Sequence, residues 1–242
     1  MNKLYVVGIG PGDLRSLSEA ARMALLSADL LCGYTVYIDL VRPLCPGTPV
    51  LTTAMTEEIT RCRMALAAAE EGRTVAMVCS GDAGIYGMAG PILELAPDYP
   101  HVSVEVIPGI TAASSGAALL GAPLMQDFAV LSLSDRLIPW EKIERRLAAA
   151  AEAELVLCLY NPASHRRKDH LRRACDRLLT LLPPETVCGW VRRVGREGEA
   201  HGVLTLAELR DFPADMFTTV FVGTRETRLV DGRMVTPRGY PL

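Results

Sequence analysis

Short apolar segments alternate with amphipathic ones along most of this chain, and this alternation limits the possible folds more than any other feature. Seven segments have the composition of buried strands: KLYVVGI (3–9), TVAMVCSGD (74–82), VSVEVIPG (102–109), FAVLSLSD (128–135), ELVLCLYNP (154–162), TVCGWVRRVG (186–195) and TTVFVGT (218–224). The segments with helical patterns are residues 16–28, 57–71, 110–120, 140–151 and 167–182. Strands and helices in alternation predict an α/β fold with mostly parallel sheets.

Capping residues and helix breakers mark the ends of several elements. The first helix is expected to begin at Ser16, which would cap it, with Glu19 closing a capping box. Gly121 and Pro123 end a helical pattern just before a new strand begins. We therefore expect two consecutive α/β domains of similar size. The expected domains are residues 1–120 and 121–242.

The overall composition argues against several classes of protein. The formal net charge of −3 gives no reason to expect nucleic acid or an anionic membrane as a partner. No apolar run reaches the ~18 residues of a membrane span. The N-terminus MNKLYVVGIG also lacks the long apolar region of a signal peptide. The sequence therefore predicts a cytoplasmic protein.

The cysteines and histidines are not spaced like metal ligands or a disulfide framework. The seven cysteines are dispersed, none forms a CxxC, and most lie in apolar segments such as VAMVCSG. His165 and His170 are five residues apart rather than four, so they would not share a helix face as a ligand pair. We expect buried thiols in a reducing compartment and no bound metal or iron–sulfur cluster.

Four loops that follow predicted strands are rich in glycine or proline. They are GIGPGD, SGDAGIYG, PGITAA and YNPASHRR. In open α/β sheets, ligands bind at the carboxyl ends of the strands, so these loops are the expected ligand site. Glycine there permits sharp turns and a close approach of the backbone to a ligand.

The first of these loops does not match a phosphate-binding loop. A dinucleotide fingerprint would need glycine at the position of Asp13, and no Gly-Lys-Ser/Thr of a Walker loop follows. Asp82 occupies a similar place beside Gly81 and Gly84. Carboxylates at these turns suit a cationic or hydroxyl-bearing ligand better than a polyphosphate. The alternative, that Asp13 and Asp82 only cap turns, is left open by the sequence.

Eight segments, in this order, resemble the tetrapyrrole methyltransferases of the cobalamin pathway, which use S-adenosylmethionine. They are VVGIGPGD, SGDAGIYGMA, PGITAA, GAPL..DF, SLSD...PW, LYNP.S..R, VRRVGREGE and DMFTTVFVG, which together span nearly the whole chain. GYTVYID, SLSDRLIPW and LYNPASHRR are most similar to the members that methylate C17 of precorrin-3B or its cobalt counterpart. Many relatives have proline where this chain has Ala83, and the C17 group tolerates alanine there.

The resemblance implies a fold of two α/β domains with mostly parallel sheets and a ligand cleft between them for S-adenosylmethionine. It also implies which residues contact this cofactor. In the first domain they are Gly10, Pro11, Gly81, Asp82, Ala83, Gly84, Ile85, Tyr86, Thr111 and Ala112. In the second domain they are Leu159, Tyr160, Asn161, Val191, Thr218 and Thr219. A homodimer is usual in such proteins.

A macrocyclic substrate with many carboxylates would need cationic side chains near it. SHRRKDHLRR places Arg166, Arg167 and Lys168 in the predicted first turn of a helix, where the helix dipole disfavours cations. Ordinary surface arginines are the alternative reading. The candidate substrate-binding residues are Asp13, Tyr34, Tyr37, Arg166, Arg167 and Arg192.

By resemblance, methylation at C17 accompanies ring contraction, in which a proton leaves a substrate hydroxyl. Asp39 in GYTVYID and Asp135 in SLSD are the candidate catalytic bases. The predicted function is S-adenosylmethionine-dependent C17 methylation of a precorrin-3B-type tetrapyrrole, either metal-free or cobalt-bearing. The alternatives are methylation at another carbon, a diphthine synthase, and a non-catalytic protein that binds S-adenosylmethionine or a tetrapyrrole.

Overall fold

The computed structural model describes residues 2–54, 56–164 and 167–241. The chain divides into two compact units, Met1–Ala112 and Ala113–Leu242. The boundary predicted from the sequence, after residue 120, lies further along the chain. The helix between the two positions belongs to the second unit because its side chains at Ala113, Ala117 and Leu120 pack into that unit's core.

The first unit contains a five-stranded sheet in which every pairing is parallel. Its strands are β1 (Asn2–Gly8), β2 (Leu30–Tyr34), β3 (Val50–Thr53), β4 (Thr74–Cys79) and β5 (Val102–Ile107), in the order β3-β2-β4-β1-β5. Its helices are α1 (Glu19–Leu26), α2 (Thr35–Val41), α3 (Glu58–Glu70) and α4 (Ala89–Leu95), with 3-10 turns at Leu14–Ser16 and Ala96–Asp98. Because β4, β1 and β5 are neighbours, the loops that follow these three strands meet at one edge of the sheet.

The second unit contains a mixed sheet and a small additional one. Its helices are α5 (Ala112–Leu120), α6 (Trp140–Glu152), α7 (His170–Leu178) and α8 (Leu206–Leu209). Its strands are β6 (Gly121–Ala122), β7 (Phe128–Ser132), β8 (Val156–Tyr160), β9 (Val187–Arg192), β10 (Ala200–Thr205), β11 (Thr218–Val222), β12 (Arg228–Val230) and β13 (Arg233–Val235). The strand orders are β10-β9-β11-β8-β7 and β12-β13-β6.

The α/β class is confirmed, but the prediction of mostly parallel sheets holds only for the first unit. In the larger sheet of the second unit, β7 and β8 run parallel and the other three pairings are antiparallel. The connection from β9 to β10, residues 193–199, explains one of these pairings. It is too short for the crossover of about a dozen or more residues that joins parallel neighbours.

Two predicted helix starts are wrong. The hydroxyl of Ser18, not that of Ser16, caps α1 by accepting a hydrogen bond from the amide of Ala21 at 3.1 Å. Ser16 instead ends the 3-10 turn, which begins after Asp13. Helix α7 begins at His170, so Arg167 lies before the helix rather than in its first turn. For Arg167 and Lys168, the unfavourable interaction with the dipole expected in a first helical turn therefore does not apply.

The described helices are short. The longest of them, α3 and α6, have 13 residues each. In the described part of the chain, no helix is long and apolar enough to cross a membrane.

All seven cysteines are buried and unpaired in the structure. Burial raises the pKa of the Cys32, Cys79, Cys158 and Cys175 thiols to about 12. The expectation of buried thiols is met in these side chains, and a thiol whose pKa is so high is a poor nucleophile at neutral pH.

The raised thiol pKa values predict a loss of stability in alkaline solution. A thiol that titrates near 12 when folded and near its ordinary value of about 9 when unfolded stabilises the fold fully below pH ~9. That stabilisation is lost as the pH rises from about 9 towards 12. Urea unfolding across this range measures it, with the Cys79→Ala variant as a comparison. If the variant and the parent lose stability with equal slopes, the Cys79 thiol does not contribute.

Candidate functional site

The loops that follow β1 and β4 are joined at the carboxyl edge of the first sheet. Gly10 and Gly81 exchange two backbone hydrogen bonds, of 3.0 and 2.8 Å, beyond the ends of the two strands. Both glycines have positive φ, +70° and +68°, a conformation that residues with a Cβ rarely adopt. The glycines therefore set the path of both loops.

The loop after β5 approaches the other two so closely that a Cβ cannot be accommodated. A Cβ on Gly109 would lie 2.6 Å from the carbonyl carbon and oxygen of Gly8, and nearer still to the carbonyl oxygen of Gly81. A Cβ on Gly8 would likewise lie 2.6 Å from the amide nitrogen of Gly109. The three loops thus form one backbone-to-backbone contact, which we call the glycine junction (Gly8, Gly81 and Gly109).

Asp82 connects two loops of the glycine junction by hydrogen bonds. Its Oδ1 accepts a hydrogen bond from the amide of Gly84 at 2.8 Å, and its Oδ2 accepts one from the amide of Gly109 at 2.9 Å. The first bond is the turn cap that the sequence left as an alternative. The second bond links the β4 loop to the β5 loop, a role that the sequence alone does not indicate. Both carboxylate oxygens therefore serve the loop structure.

Asp13 is also engaged within its own loop. Its Oδ1 accepts from the backbone amide of Arg15, and its Oδ2 accepts from the Arg15 guanidinium, both at 2.9 Å. The hydrogen bonds from Arg15 hold the pKa of this carboxyl below its usual value. The structure thus gives Asp13 a turn-capping role at the 3-10 turn.

The SGDAGIYG loop presents apolar side chains to solvent. Ile85 and Tyr86 are 38% and 55% exposed, whereas Ala83 is fully buried. Tyr86 has a φ of +54°, in the left-handed region that residues with a side chain rarely adopt. Of the remaining predicted cofactor contacts in this unit, Thr111 lies beside Gly81, with its Cα 3.8 Å from where a Gly81 Cβ would be. Main-chain groups and these apolar side chains therefore make up the surface of this edge.

The GYTVYID segment lies at the same edge of the first sheet. Tyr34 ends β2, the strand next to β4, and Tyr37 and Asp39 follow on α2. The rings of Tyr34 and Tyr37 meet edge to face, with centroids 5.5 Å apart. Asp39 is exposed. This placement puts two of the candidate substrate-binding side chains and one candidate base at the carboxyl ends of parallel strands.

In the second unit, three of the predicted cofactor contacts, Leu159, Tyr160 and Asn161, lie at the end of β8, beside the end of β7. The amide of Asn161, Nδ2, donates to the hydroxyl of Ser132 at 3.0 Å, and Asn161 has a φ of +54°. The hydroxyl of Tyr160 accepts a hydrogen bond from the amide of Ala113 at 2.6 Å. The side chain of Leu159 is completely buried, so any contact it makes with a ligand would be through the main chain.

Val191 and the threonine pair lie in the interior of the same unit. Val191 is completely buried, and Thr218 and Thr219 on β11 are almost so. The Thr218 hydroxyl donates to Oδ1 of Asp215 at 2.7 Å. The structure therefore gives Thr218 a role in holding the turn that precedes β11.

Arg192 is held by its neighbours in this unit. Its Nη2 donates to the carbonyl oxygen of Pro213 at 2.6 Å, and its Nε lies 3.5 Å from Oδ2 of Asp215. The guanidinium also lies 5.7 Å from the centroid of the Trp190 ring. These contacts orient Arg192 and leave less of its hydrogen-bonding capacity for a substrate.

The arginines of YNPASHRR are only partly described. Arg166 and its neighbour His165 lie outside the described residues. Arg167 is half-buried and exchanges two backbone hydrogen bonds of 3.1 Å with Ser164. Its Nε is buried and has no hydrogen-bond partner among the described residues. The Nε–H of Arg167 is thus an unsatisfied donor, and a carboxylate oxygen could accept a hydrogen bond from it.

Asp135 lies close to His170, a residue that the sequence offered only as a possible metal ligand. It lies on the loop between β7 and α6, and Nε2 of the buried His170 is 3.5 Å from its Oδ2. Nothing in the linear sequence relates these residues, because α7 and the β7–α6 loop meet only in the folded unit. Among the described residues, no group of three His, Cys, Asp or Glu side chains could hold a metal ion.

The chemistry of the first unit's loops fits a cationic methyl donor better than a polyphosphate. The charged side chains on residues 9–18, 80–88 and 108–112 are Asp13, Arg15 and Asp82, and the one cation is paired with Asp13. S-adenosylmethionine carries an ammonium and a sulfonium, which favour carbonyl and carboxylate oxygens, and a carboxylate that accepts from main-chain amides. A loop edge of main-chain carbonyl and amide groups, with Ile85 and Tyr86, supplies such partners.

The comparisons with known proteins all indicate the same family. Residues 3–210 match the family described as Tetrapyrrole (Corrin/Porphyrin) Methylases. The probable cobalt-factor III C(17)-methyltransferase of Salmonella typhimurium is 46% identical over 240 residues, which cover 99% of this chain and 100% of the relative. Some curated relatives are longer, and the chain spans 45% and 53% of the length of two of them.

Solved structures agree with the fold. The structure of the methyltransferase CobJ matches with a TM-score of 0.91 at 34% identity, covering 97% of this chain and 99% of that one. A uroporphyrin-III C-methyl transferase from Thermus thermophilus, solved with S-adenosyl homocysteine, matches with a TM-score of 0.72, covering 91% and 97%. At 22% identity, the second likeness shows the fold alone.

Proposed function

Because the chain belongs to the tetrapyrrole (corrin/porphyrin) methylases, we propose that it transfers a methyl group from S-adenosylmethionine to C17 of a precorrin-3B-type macrocycle. The macrocycle is cobalt-factor III or its metal-free counterpart, and the reaction is a step of cobalamin biosynthesis. The observation that carries the proposal is the near full-length similarity to a C(17)-methyltransferase, together with a loop edge suited to a cationic donor.

Methyl transfer places few chemical demands on the protein's side chains. The reaction is an in-line displacement in which the positive charge of the sulfonium disperses as the new bond forms. The enzyme must hold the methyl carbon and the attacking carbon at about 3 Å in line, which can lower the barrier by several kcal/mol. No covalent intermediate on the protein is required, in agreement with the burial of all seven cysteines.

The residues of the first unit are proposed to hold the methionine part of the donor. In this proposal, Gly10, Pro11 and the glycine junction shape the edge, and the loop Gly81–Tyr86 supplies main-chain donors. Asp82 keeps the loop in place through its bonds to Gly84 and Gly109. Thr111 and Ala112 complete the proposed contacts at the start of α5.

The residues of the second unit are proposed to contact the adenosine. Tyr160, Asn161 and Thr219 would use side-chain or main-chain polar groups. Leu159 and Val191, whose side chains lie in the core, would use their backbone. Thr218 is proposed to act indirectly, by holding Asp215 in place, because its hydroxyl donates a hydrogen bond to that carboxylate.

The substrate carboxylates are proposed to meet the arginines. Arg167, with its buried and unpartnered Nε, is the strongest of the described candidates. Arg192 would contribute only the part of its guanidinium that Pro213 and Asp215 do not use. Asp13, Tyr34 and Tyr37 would face the hydroxyls and the ring, and Arg166 would act beside Arg167.

Reversing the charge at Arg167 is expected to weaken substrate binding selectively. An Arg167→Glu variant should raise the KM for the macrocycle by about 10-fold or more, because a bidentate charge-assisted pair is lost. The KM for S-adenosylmethionine should stay within about 2-fold of the parent value. The exposed Arg228→Glu variant on β12 is the matched control, with both constants unchanged. An equal rise in both constants for Arg167→Glu would refute the role.

Titration and product analysis test the proposed function. Calorimetry with S-adenosyl homocysteine should show saturable binding, and NADH or ATP should not bind tightly.

Anaerobic incubation with S-adenosylmethionine and each macrocycle should give one product whose mass is increased by one methylene, with the C17 substrates used best. Binding of the donor without any methylated product would indicate a non-catalytic protein. Methylation of another macrocycle would indicate a different carbon. We also propose that the chain forms a homodimer, as the family resemblance implies, and chromatography with light scattering tests this.

A further inference from the structure

Arg61 lies on α3 and is almost completely buried, with 5% of its surface exposed. Its guanidinium reaches the carboxyl end of β3. There Nη1 donates to the hydroxyl of Thr53 at 2.7 Å and, at longer range, to the carbonyl oxygens of Thr53 and Ala54 at 3.5 and 3.4 Å. All of these acceptors are neutral. The hydrogen bonds of Arg61 therefore do not compensate its charge.

The acidic side chains just before Arg61 are hydrogen-bonded to the loop that precedes α3. Oε2 of Glu57 accepts from the amide of Ala54 at 3.0 Å, and Oε1 of Glu58 accepts from the amide of Thr56 at 3.2 Å. In the part of the chain that the structure describes, no carboxylate oxygen lies within ion-pair distance of the Arg61 guanidinium. A buried charge is unfavourable unless it is paired, and hydrogen bonding to a threonine does not require a charge.

The other edge of the guanidinium has the geometry that a carboxylate requires. Nη1 makes all the side-chain hydrogen bonds of Arg61 to the described residues, which leaves Nε and Nη2 without an acceptor there. Neither of these two nitrogens is fully enclosed, so both have some contact with solvent. Their N–H groups are parallel, and a carboxylate can accept from both at once. Arg61 thus presents an unused bidentate donor.

The guanidinium lies on the same face of the first sheet as Tyr34, a candidate substrate-binding residue. Thr53, which accepts from Arg61, is opposite Tyr34 in the register of β3 and β2. Cys32 packs in one core cluster with Cys62 of α3, so its side chain is on the α3 side of the sheet. Side chains two residues apart on a strand point to the same face, so Tyr34 is also on the α3 side.

We propose that Arg61 binds a peripheral carboxylate of the macrocycle through Nε and Nη2. This inference rests on the proposed function, since it assigns a residue to the substrate of that reaction. Strand β3 is two strands away from β4, which corresponds to about 10 Å. A macrocycle with its side chains can span this distance, so its carboxylate can meet Arg61 while the reacting carbon lies near the donor loops. The positive charge of Arg61 would repel the ammonium and sulfonium of the donor, so the ligand of Arg61 is the anionic substrate.

Binding of cobalt-factor III to the full chain in the presence of S-adenosyl homocysteine tests the proposal without turnover. Arg61→Gln should raise the Kd of the macrocycle by about 10-fold or more, because one partner of a charge-assisted pair is lost. The Kd of S-adenosyl homocysteine should stay within about 2-fold of the parent value. Arg63→Gln, at an exposed position of the same helix, is the matched control, with both constants unchanged. An unchanged Kd for cobalt-factor III in Arg61→Gln, or an equal rise in both constants, would overturn the proposal.

The methyl ester of cobalt-factor III distinguishes a carboxylate partner from an indirect effect on the loop. The ester cannot form the charged pair, so the parent protein and Arg61→Gln should bind it with Kd values that differ by less than about 2-fold. If Arg61→Gln weakens binding of the ester as much as binding of the free acid, the substitution acts through the loop and the proposal is wrong.

Arg61→Lys keeps the charge but loses the bidentate geometry, so its Kd for cobalt-factor III should lie between those of the parent and Arg61→Gln. If Arg61→Gln does not fold, Arg61→Lys decides, and a Kd equal to the parent value would overturn the proposal. A parent protein that binds cobalt-factor III without methylating C17 would refute the proposed function but not the carboxylate pair. A parent protein that binds no macrocycle would refute both.

Discussion

Replacing Gly109 with alanine is expected to destroy the glycine junction and, with it, donor binding. The new Cβ would lie 2.6 Å from the backbone of Gly8, and nearer to that of Gly81. Because the obstructing atoms are backbone rather than the end of a flexible side chain, at least one loop must move. We expect a loss of about 3 kcal/mol or more in the free energy of unfolding. Calorimetric binding of S-adenosyl homocysteine should be lost or weakened by at least about 100-fold.

Gly90 offers a matched control for this substitution. It lies on α4 in the same unit, and a Cβ there would meet nothing within 4 Å. Gly90→Ala should change stability by less than about 1 kcal/mol, because the higher helix propensity of alanine is offset by the position before Pro91, and should leave donor binding unchanged. Amide hydrogen exchange in β1, β4 and β5 locates the damage in Gly109→Ala. Normal donor affinity in that variant would show that the junction does not shape the donor site.

Removing the carboxylate of Asp82 is expected to have the second largest effect. In Asp82→Ala, the amides of Gly84 and Gly109 both lose their acceptor. The amide of Gly109 is part-buried, and an unsatisfied donor there costs about 1–3 kcal/mol, whereas the exposed amide of Gly84 can bond water, so we expect a loss of roughly 1–3 kcal/mol in the free energy of unfolding. The SGDAGIYG and PGITAA loops should separate, and methyl transfer should fall by at least about 100-fold.

Graded variants separate the role of Asp82 in linking the loops from a role of its charge. Asp82→Asn keeps one acceptor and should fall between the parent and Asp82→Ala in stability. Asp98→Ala is the control for a carboxylate in the same unit, because Asp98 is exposed, and its stability should change by less than about 0.5 kcal/mol. If Asp82→Asn binds the donor as the parent does while Asp82→Ala does not, hydrogen bonding rather than charge is the essential property. Equal stability of all three proteins would contradict the link between the loops.

The sequence predicted the class of the fold because the central strands carry a strong signal. The apolar segments around Val6, Met77 and Leu157 are too hydrophobic to be surface strands, and all three side chains are completely buried. The family resemblance predicted the functional class, which the comparisons support. The order and direction of the strands in the second unit could not be predicted, because local sequence patterns do not determine which strands are neighbours or whether they run parallel or antiparallel.

Several local features were missed although the signals were present. Asp231 and Gly232, both with positive φ, form the two-residue turn between β12 and β13, and an Asp-Gly pair between apolar residues is a common hairpin signal. Ser16 and Ser18 are both acceptable helix caps by composition, and Ser18 takes the role in the fold. These errors concern choices between near-equal local alternatives.

The candidate site was predictable only in part. The glycine-rich loops could be located from the sequence, since they follow strong strands. The contact of Gly109 with Gly8 and Gly81 and the bond from Gly109 to Asp82 depend on which strands are neighbours. The pairing of Asp135 with His170 depends on the packing of α7 against a loop far away in sequence. Tertiary structure alone brings these groups together.

Transfer of an isotopic label from the donor to the macrocycle tests the central claim most directly. The chain, a precorrin-3B-type or cobalt-bearing substrate and S-adenosylmethionine with a ¹³C-labelled methyl group would be incubated anaerobically, and the product would be examined by ¹³C NMR. The account predicts one labelled methyl group, bonded to C17. A labelled methyl group on another carbon, or no labelled product from either macrocycle, would contradict it.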